Sequence, residues 1–235
     1  MLTRAMIYRK EYVQNIESDM CCYCAVAVGT TRDHVPSKIL LDKPYPENLM
    51  TVPCCEKCNN SFSADEEYVA ALIEKSWNGC LDDDFIERDA VRKSLRHSES
   101  IRARLDNLFS KDDNGILFLN FEESRLINVM GKTALGLARY ECGKIFTLKK
   151  VVPFLRDNLT AEALELFESR MLCHEQFPEV GSRLLSQIVE SGNVMAARWK
   201  EVQPNRFRYM IRQRRNGVEV RLVFSECFVA VVDLI

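Results

Sequence analysis

Two pairs of cysteines stand at a spacing that binds metal ions. Cys21 and Cys24 form the first pair and Cys55 and Cys58 the second, with two residues between the members of each pair. Thiolates at this spacing turn inward on a tight hairpin, and two such pairs close a tetrahedral site around one Zn2+. The sequence therefore predicts a structural zinc site with four cysteine ligands.

The other cysteines define the alternative to a zinc site. The chain contains ten cysteines, and in a reducing compartment their distribution favours metal binding over a disulfide scaffold. Cys22 and Cys54 adjoin the pairs and show that a cysteine can occur here without binding metal, so four buried free thiols are the alternative. We predict core positions for Cys80, Cys142, Cys173 and Cys227.

A second pattern accompanies the cysteine pairs. Asp33 and His34 are adjacent, Asn48 precedes an apolar residue, and Asn59 directly follows the second pair. This combination resembles the HNH endonuclease family, whose motif runs Asp-His, then Asn before an apolar residue, then Cys-x-x-Cys-Asn at the start of a helix. The resemblance covers only the N-terminal part of the chain, and the combination is far more specific than any one of its elements.

The resemblance implies a role for each of the four polar residues. Asp33 and Asn59 would bind a catalytic Mg2+ or Mn2+, His34 would be the general base that activates water, and Asn48 would hold its imidazole. Carboxylate and amide oxygens are hard ligands that suit Mg2+. An imidazole with a pKa near neutrality can accept a proton from water.

Each of these assignments has a structural alternative. His34 could be a structural histidine, Asn48 could cap a turn, and Asn59 could be no more than a residue at the start of a helix. The four residues occurring together favour the catalytic interpretation, because a zinc scaffold needs the cysteines but not the polar quartet.

Phosphate contacts must come from outside the usual motif position. Many HNH proteins carry a basic residue shortly after the motif, but here residues 60–63 are uncharged and acids follow. Arg32 and Lys38 are therefore the predicted nucleic-acid contacts. The arginine-rich segment 206–215 is a weaker choice, because such a run is more often a solvated strand face.

Composition describes an ordinary globular protein. Of the 235 residues, 47% are hydrophobic and 28% are charged, which excludes wholesale disorder, and the net charge is -2. A strongly basic nucleic-acid binder is not indicated. The first twenty residues show neither a signal peptide nor a membrane anchor, and the apolar C-terminal run is too short to span a bilayer. We expect a cytoplasmic protein that does not contact a membrane.

The elements that must position the site are short. Residues from Cys21 to about residue 60 predict loops and short strands that need a cross-link, which zinc would supply. His34 would end one strand, Asn48 would lie on or near a second, and Asn59 would open a helix. A longer helix is expected to start at Ser63, which acids follow.

The remainder of the chain predicts helices followed by strands. Gly131 and Gly136 interrupt a segment with helical periodicity, although glycines five apart can also mark a close contact. Near the C-terminus, alternating apolar residues and Asn216-Gly217 predict an antiparallel meander with a tight hairpin.

We therefore expect an α+β fold in two parts. Residues 1–80 would form a zinc-stapled ββα-metal unit, and residues 81–235 a mainly helical segment with a C-terminal β meander of unknown role. The boundary is soft, since no Gly/Ser-rich linker marks it.

The leading functional hypothesis is a metal-dependent endonuclease that cuts nucleic acid phosphodiesters. DNA is the expected substrate, although the sequence does not choose between double-stranded, nicked or branched DNA and RNA, and the resemblance suggests phage defence or restriction. Two alternatives remain: a catalytically silent zinc-binding interaction protein, and a nuclease subunit that a partner protein activates. The near-neutral charge favours a partner, because strong DNA affinity normally needs several cationic phosphate contacts. A homo-oligomer is also open.

Overall fold

The structure is a computed structural model. It describes residues 19–78, 86, 88–105, 108–111, 113, 117–171, 177–190 and 196–235. Cys80 and Cys173, which the sequence predicts in the core, lie outside these residues, as does the boundary expected at residue 80.

The fold combines helices with three antiparallel sheets among the described residues. The helices are α1 (Glu56–Ser61), α2 (Ser63–Asn78), α3 (Asp89–His97), α4 (Glu99–Leu105), α5 (Glu123–Cys142), α6 (Ala161–Glu168) and α7 (Arg183–Glu190). The strands are β1 (Thr31–Val35), β2 (Met50–Cys54), β3 (Phe109–Lys111), β4 (Leu117–Leu119), β5 (Leu148–Leu155), β6 (Lys200–Gln203), β7 (Phe207–Arg214), β8 (Gly217–Phe224) and β9 (Phe228–Leu234).

The N-terminal hairpin has the strand–strand–helix order that the sequence predicts. β1 pairs antiparallel with β2, with Thr31 opposite Cys54 and Val35 opposite Met50, and α1 follows β2 directly. Side chains alternate across β1, so Asp33 and Val35 are buried while Arg32 is exposed. The hairpin thus turns Asp33 towards the protein interior.

The C-terminal sheet has five antiparallel strands in the order β5-β9-β8-β7-β6. The predicted meander is confirmed in β7 to β9. The turn that joins β7 to β8 lies at residues 215–216, one residue before the predicted Asn216-Gly217, and Gly217 pairs with Arg214 as the first residue of β8. The sequence did not indicate β5, which carries two lysines and Pro153. Its edge position tolerates proline, which cannot donate a ladder hydrogen bond.

Helix α5 joins the hairpin to the sheet. It runs for 20 residues and ends at Gly143, whose left-handed backbone (φ 76°) allows the chain to turn away. α5 contacts α2, both hairpin strands and the C-terminal sheet. Side chains from both sides of residue 80 share one hydrophobic core, and the division into two domains stays a prediction.

The two glycines of α5 sit at close contacts, and the helix continues unbroken through both. A Cβ atom built on Gly136 would lie 2.6 Å from Val35 Cγ2, so the glycine lets β1 approach the helix. A Cβ atom on Gly131 would lie 2.9 Å from Cδ2 of Leu148, which is 39% exposed.

A buried ion-pair network ties the segment after β1 to the C-terminal sheet. Arg88 Nε lies 2.6 Å from Glu74 Oε1, and Arg206 Nη1 lies 3.0 Å from the same oxygen. Arg206 Nε also lies 2.6 Å from Asp42 Oδ2. Burial lowers the pKa of Arg88, although Glu74 opposes the shift. Removing one partner would leave a buried charge uncompensated.

Over the residues described, no helix combines the length and the apolar character needed to cross a membrane.

Replacing Gly136 with alanine should destabilise the protein by about 1 to 3 kcal/mol, because the new Cβ overpacks the contact with β1. Gly131→Ala is the matched control: Leu148 can move aside, and alanine favours a helix by about 1 kcal/mol over glycine. Denaturant unfolding of the two variants and wild type measures both effects. Equal stabilities for the two variants would contradict the close contact at Gly136.

Candidate functional site

The four paired cysteines come together in space. The sulfur atoms of Cys21, Cys24, Cys55 and Cys58 all lie within 4.8 Å of one another. Ligands about 2.3 Å from a tetrahedral Zn2+ would be about 3.8 Å apart, so a small inward movement brings the cluster to zinc geometry. This cluster can hold a metal ion such as zinc.

Each cysteine pair lies in a local turn. In the turn of Cys21 and Cys24, the Ala25 amide donates a hydrogen bond to the Cys21 carbonyl over 3.0 Å, and Ala25 adopts a left-handed backbone (φ 56°). In the second, Cys55 is the N-cap of α1, and its Sγ accepts a hydrogen bond from the Cys58 amide. The non-paired Cys54 is fully buried, and its thiol donates to the Cys55 carbonyl over 3.3 Å.

The thiols differ in acidity. Burial raises the pKa of Cys21, but hydrogen bonds from the backbone at Cys24, Cys55 and Tyr23 outweigh it and lower the value to about 6. Burial and hydrogen bonds with neighbouring thiols raise the pKa of Cys58. Four thiolates at this separation repel one another unless a cation lies between them, and zinc ligation deprotonates thiols.

Asp33 lies beside the cluster and is held through one oxygen. The Tyr23 hydroxyl donates to Asp33 Oδ2 over 2.5 Å, and Lys132 Nζ of α5 lies 2.8 Å from the same atom. Among the described residues, none donates a hydrogen bond to Asp33 Oδ1. One oxygen is therefore committed to the protein and the other is available.

Lys132 is the unexpected member of the site. Its side chain is 3% exposed and forms an ion pair with Glu66 of α2 as well as with Asp33. Its ammonium also lies 5.7 Å from the ring centre of Tyr23 and 5.2 Å from that of Phe62. Burial lowers the pKa of Lys132, but Glu66 and Asp33 outweigh it and raise the pKa, so the ammonium stays charged.

His34 points to the opposite side of β1 from Asp33 and is partly exposed. Its imidazole makes no hydrogen bond to a residue that the structure describes. Burial lowers its pKa first, Lys38 and Lys132 lower it further, and Asp33 opposes them. The ring is consequently neutral near pH 7 and can accept a proton.

Asn59 and Asn48 differ in their relation to β1. Asn59 lies on α1, and its Nδ2 donates to Thr31 Oγ1 over 3.3 Å. Thr31 and Asp33 are two apart on a strand and share a face, so Asn59 is on the Asp33 side of the hairpin. Asn48 is exposed, lies two residues before β2, and has no hydrogen bond to a described residue.

The predicted phosphate contacts lie at the surface. Arg32 is exposed and braces the hairpin, with Nη2 donating to the Thr51 carbonyl over 2.9 Å. Lys38 is exposed and lies 5.5 Å from the ring centre of Tyr45. The Arg32 and Lys38 side chains therefore each present an exposed positive charge close to His34.

The arginines of β7 are mostly paired with acids. Arg208 binds both Glu168 and Glu226, and Arg212 and Arg214 both lie within 3.0 Å of Glu219. Hydrogen bonds to Arg208 lower the pKa of Glu226. These pairs support the interpretation of this segment as a structural strand face.

No family model, curated protein or solved structure matched the chain when it was compared with all three.

The zinc site predicts unequal effects for neighbouring cysteines. Cys58→Ala should abolish stoichiometric zinc binding and lower the melting temperature, because a structural zinc contributes folding free energy. Cys54→Ala, which removes a non-ligating thiol one residue from Cys55, should retain zinc. Elemental analysis of both purified variants measures the difference, and loss of zinc from both or from neither would contradict the assignment.

Proposed function

We propose that the chain is a metal-dependent endonuclease that hydrolyses nucleic acid phosphodiesters, with DNA as the substrate class. The observation that carries the proposal is the arrangement around β1. Asp33 and His34 are consecutive on the strand, and Asn59 of α1 is held to the Asp33 face through Thr31. The cysteine cluster adjoins this arrangement and would fix strand to helix.

The donor chemistry suits a hard divalent cation. Asp33 Oδ1 and the Asn59 side-chain oxygen accept no hydrogen bond from the residues described. Asp33 and Asn59 would hold Mg2+ or Mn2+, for which oxygen donors are preferred. The bound cation would supply charge neutralisation at the phosphate and the leaving 3′ oxygen.

His34 would act as the general base. Its lowered pKa keeps the imidazole neutral near pH 7, so it can take a proton from the attacking water. The oxygen of that water bonds to phosphorus, the bond from phosphorus to the 3′ oxygen breaks, and the released oxygen takes up a proton from solvent. The role of Asn48 in holding the imidazole rests on the motif alone.

Arg32 and Lys38 would contact the phosphate backbone beside His34. Two cations give only modest DNA affinity at physiological salt, and the net charge of -2 adds no general attraction. The proposal therefore includes a partner protein or a second copy of the chain that supplies further contacts. Phage defence or restriction in the cytoplasm is the setting that the motif suggests.

A silent zinc scaffold is the second candidate, and one observation favours it. Lys132 already places a positive charge on Asp33, so an ammonium group would take the place of a metal ion. In that case the chain would bind a protein or nucleic acid without cutting it.

Cleavage assays distinguish the two candidates. Zinc-loaded wild type should cut supercoiled plasmid or single-stranded nucleic acid when Mg2+ or Mn2+ is added, and His34→Ala should lower the rate by about 100- to 10,000-fold with its zinc content unchanged. His97→Ala is the control, since His97 is an exposed helix residue bonded to the Lys93 carbonyl. Absence of cutting by wild type on every substrate would favour the scaffold or a nuclease subunit that cuts only when its partner protein is bound.

A further inference from the structure

We infer that Tyr23 and Lys132 are positioning residues that fix the Asp33 carboxylate so that a single oxygen, Oδ1, faces the catalytic cation. The inference rests on the proposed function and adds two residues that lie outside its motif.

The two donors converge on one atom. The Tyr23 hydroxyl and the Lys132 ammonium approach Asp33 Oδ2 to 2.5 and 2.8 Å. Two donors on one oxygen fix the plane and the rotation of the carboxylate. Donors that hold a ligand from behind orient it and tune its basicity, and their loss typically reduces metal affinity or activity about 10- to 100-fold.

The charge balance agrees with a cation site. Asp33, Glu66 and Lys132 bring two carboxylate groups to one ammonium group, so their formal charges sum to -1. Without the lysine, two carboxylates would face each other in the interior. With it, one negative charge remains, and a divalent cation can still be attracted to the open oxygen. Lys132 therefore limits repulsion without cancelling the site.

Packing holds the lysine in place. The ring centres of Tyr23 and Phe62 lie 5.2 Å apart at an interplanar angle of 66°, and the ammonium lies against both rings. Tyr23 lies between the two cysteines of the first pair. Gly136, one turn after Lys132, lets β1 approach α5. The Asp33 carboxylate is thus fixed from the cysteine loop on one side and from α5 on the other.

The hydrogen bond from Tyr23 can be removed without disturbing its packing. Tyr23 donates to Asp33 Oδ2 through its hydroxyl. Its ring packs against Phe62, and a phenylalanine would retain that contact. Tyr23→Phe therefore removes the hydrogen bond and little else.

The decisive measurement is Mn2+ binding to zinc-loaded protein by electron paramagnetic resonance, together with the Mg2+ dependence of plasmid cleavage. Tyr23→Phe should weaken Mn2+ binding about 10-fold and lower kcat, with zinc content unchanged. Lys132→Met should have a larger effect, and Lys132→Arg should restore part of it because the charge and the donor remain.

Tyr209→Phe is the matched control. Tyr209 is a buried tyrosine whose hydroxyl donates to Glu141, and Lys200 Nζ lies 2.9 Å from the same Glu141 oxygen. The substitution removes an equivalent bond to Glu141 rather than to Asp33, although the Tyr209 hydroxyl also lies 3.5 Å from Met50 Sδ at the start of β2. It should cost stability without changing Mn2+ binding. The control separates positioning from a general loss of stability.

The outcomes distinguish the two proposals. If wild type binds no Mn2+ and cuts nothing, the nuclease proposal fails and the positioning role with it. If wild type binds and cuts, and Tyr23→Phe matches it, the positioning role alone is wrong. Tighter Mn2+ binding by Lys132→Met would show that the lysine competes with the cation, which also overturns the inference.

Discussion

One buried ammonium group joins the three elements that meet at the candidate site. Lys132 extends from α5 to Asp33 on β1 and to Glu66 at the start of α2. Removing a lysine from water is costly, and the cost is offset only when the charge is paired and its donors are satisfied. Two carboxylates and two aromatic rings meet that requirement here. Any movement of β1, α2 or α5 relative to the others would weaken these contacts, so the lysine specifies how the hairpin sits on the helices.

The cysteine cluster and the hydrophobic core stabilise different parts of the hairpin. Val35 and Val52 belong to the main core beneath α5, whereas the paired cysteines form a separate cluster at the other end of the strands. A hairpin of two five-residue strands is marginal alone. The core fixes the end that carries His34, and a metal in the cluster would fix the end that carries Thr31. Asp33 lies between the two.

The sequence predicted the local features well and the long-range ones poorly. Cysteine spacing indicated the four-cysteine cluster, because two matched pairs can share one metal ion even when 31 positions separate Cys24 from Cys55. Alternation with Asn216-Gly217 indicated the meander, because a hairpin depends on near neighbours in the chain. Lys132 and Glu66 went unrecognised, since they reach the site through tertiary packing and each resembles an ordinary charged helix residue. An informative signal was present in Lys132, which stands between Gly131 and Gly136 and is the charged residue in the segment 126–138, which is otherwise uncharged. The catalytic roles that the motif implies stay predictions for Asp33, His34, Asn48 and Asn59.

The position of Lys132 bears on the modularity of the hairpin. In this chain the charge that balances Asp33 and Glu66 is supplied by a residue 66 positions after Glu66. A transplanted segment that ends near residue 80 would carry both carboxylates without their counter-ion. It would also lack Gly136, which lets β1 approach α5. Recombination could therefore exchange this hairpin between proteins only together with α5, which would tie the inheritance of the N-terminal motif to that of the helix.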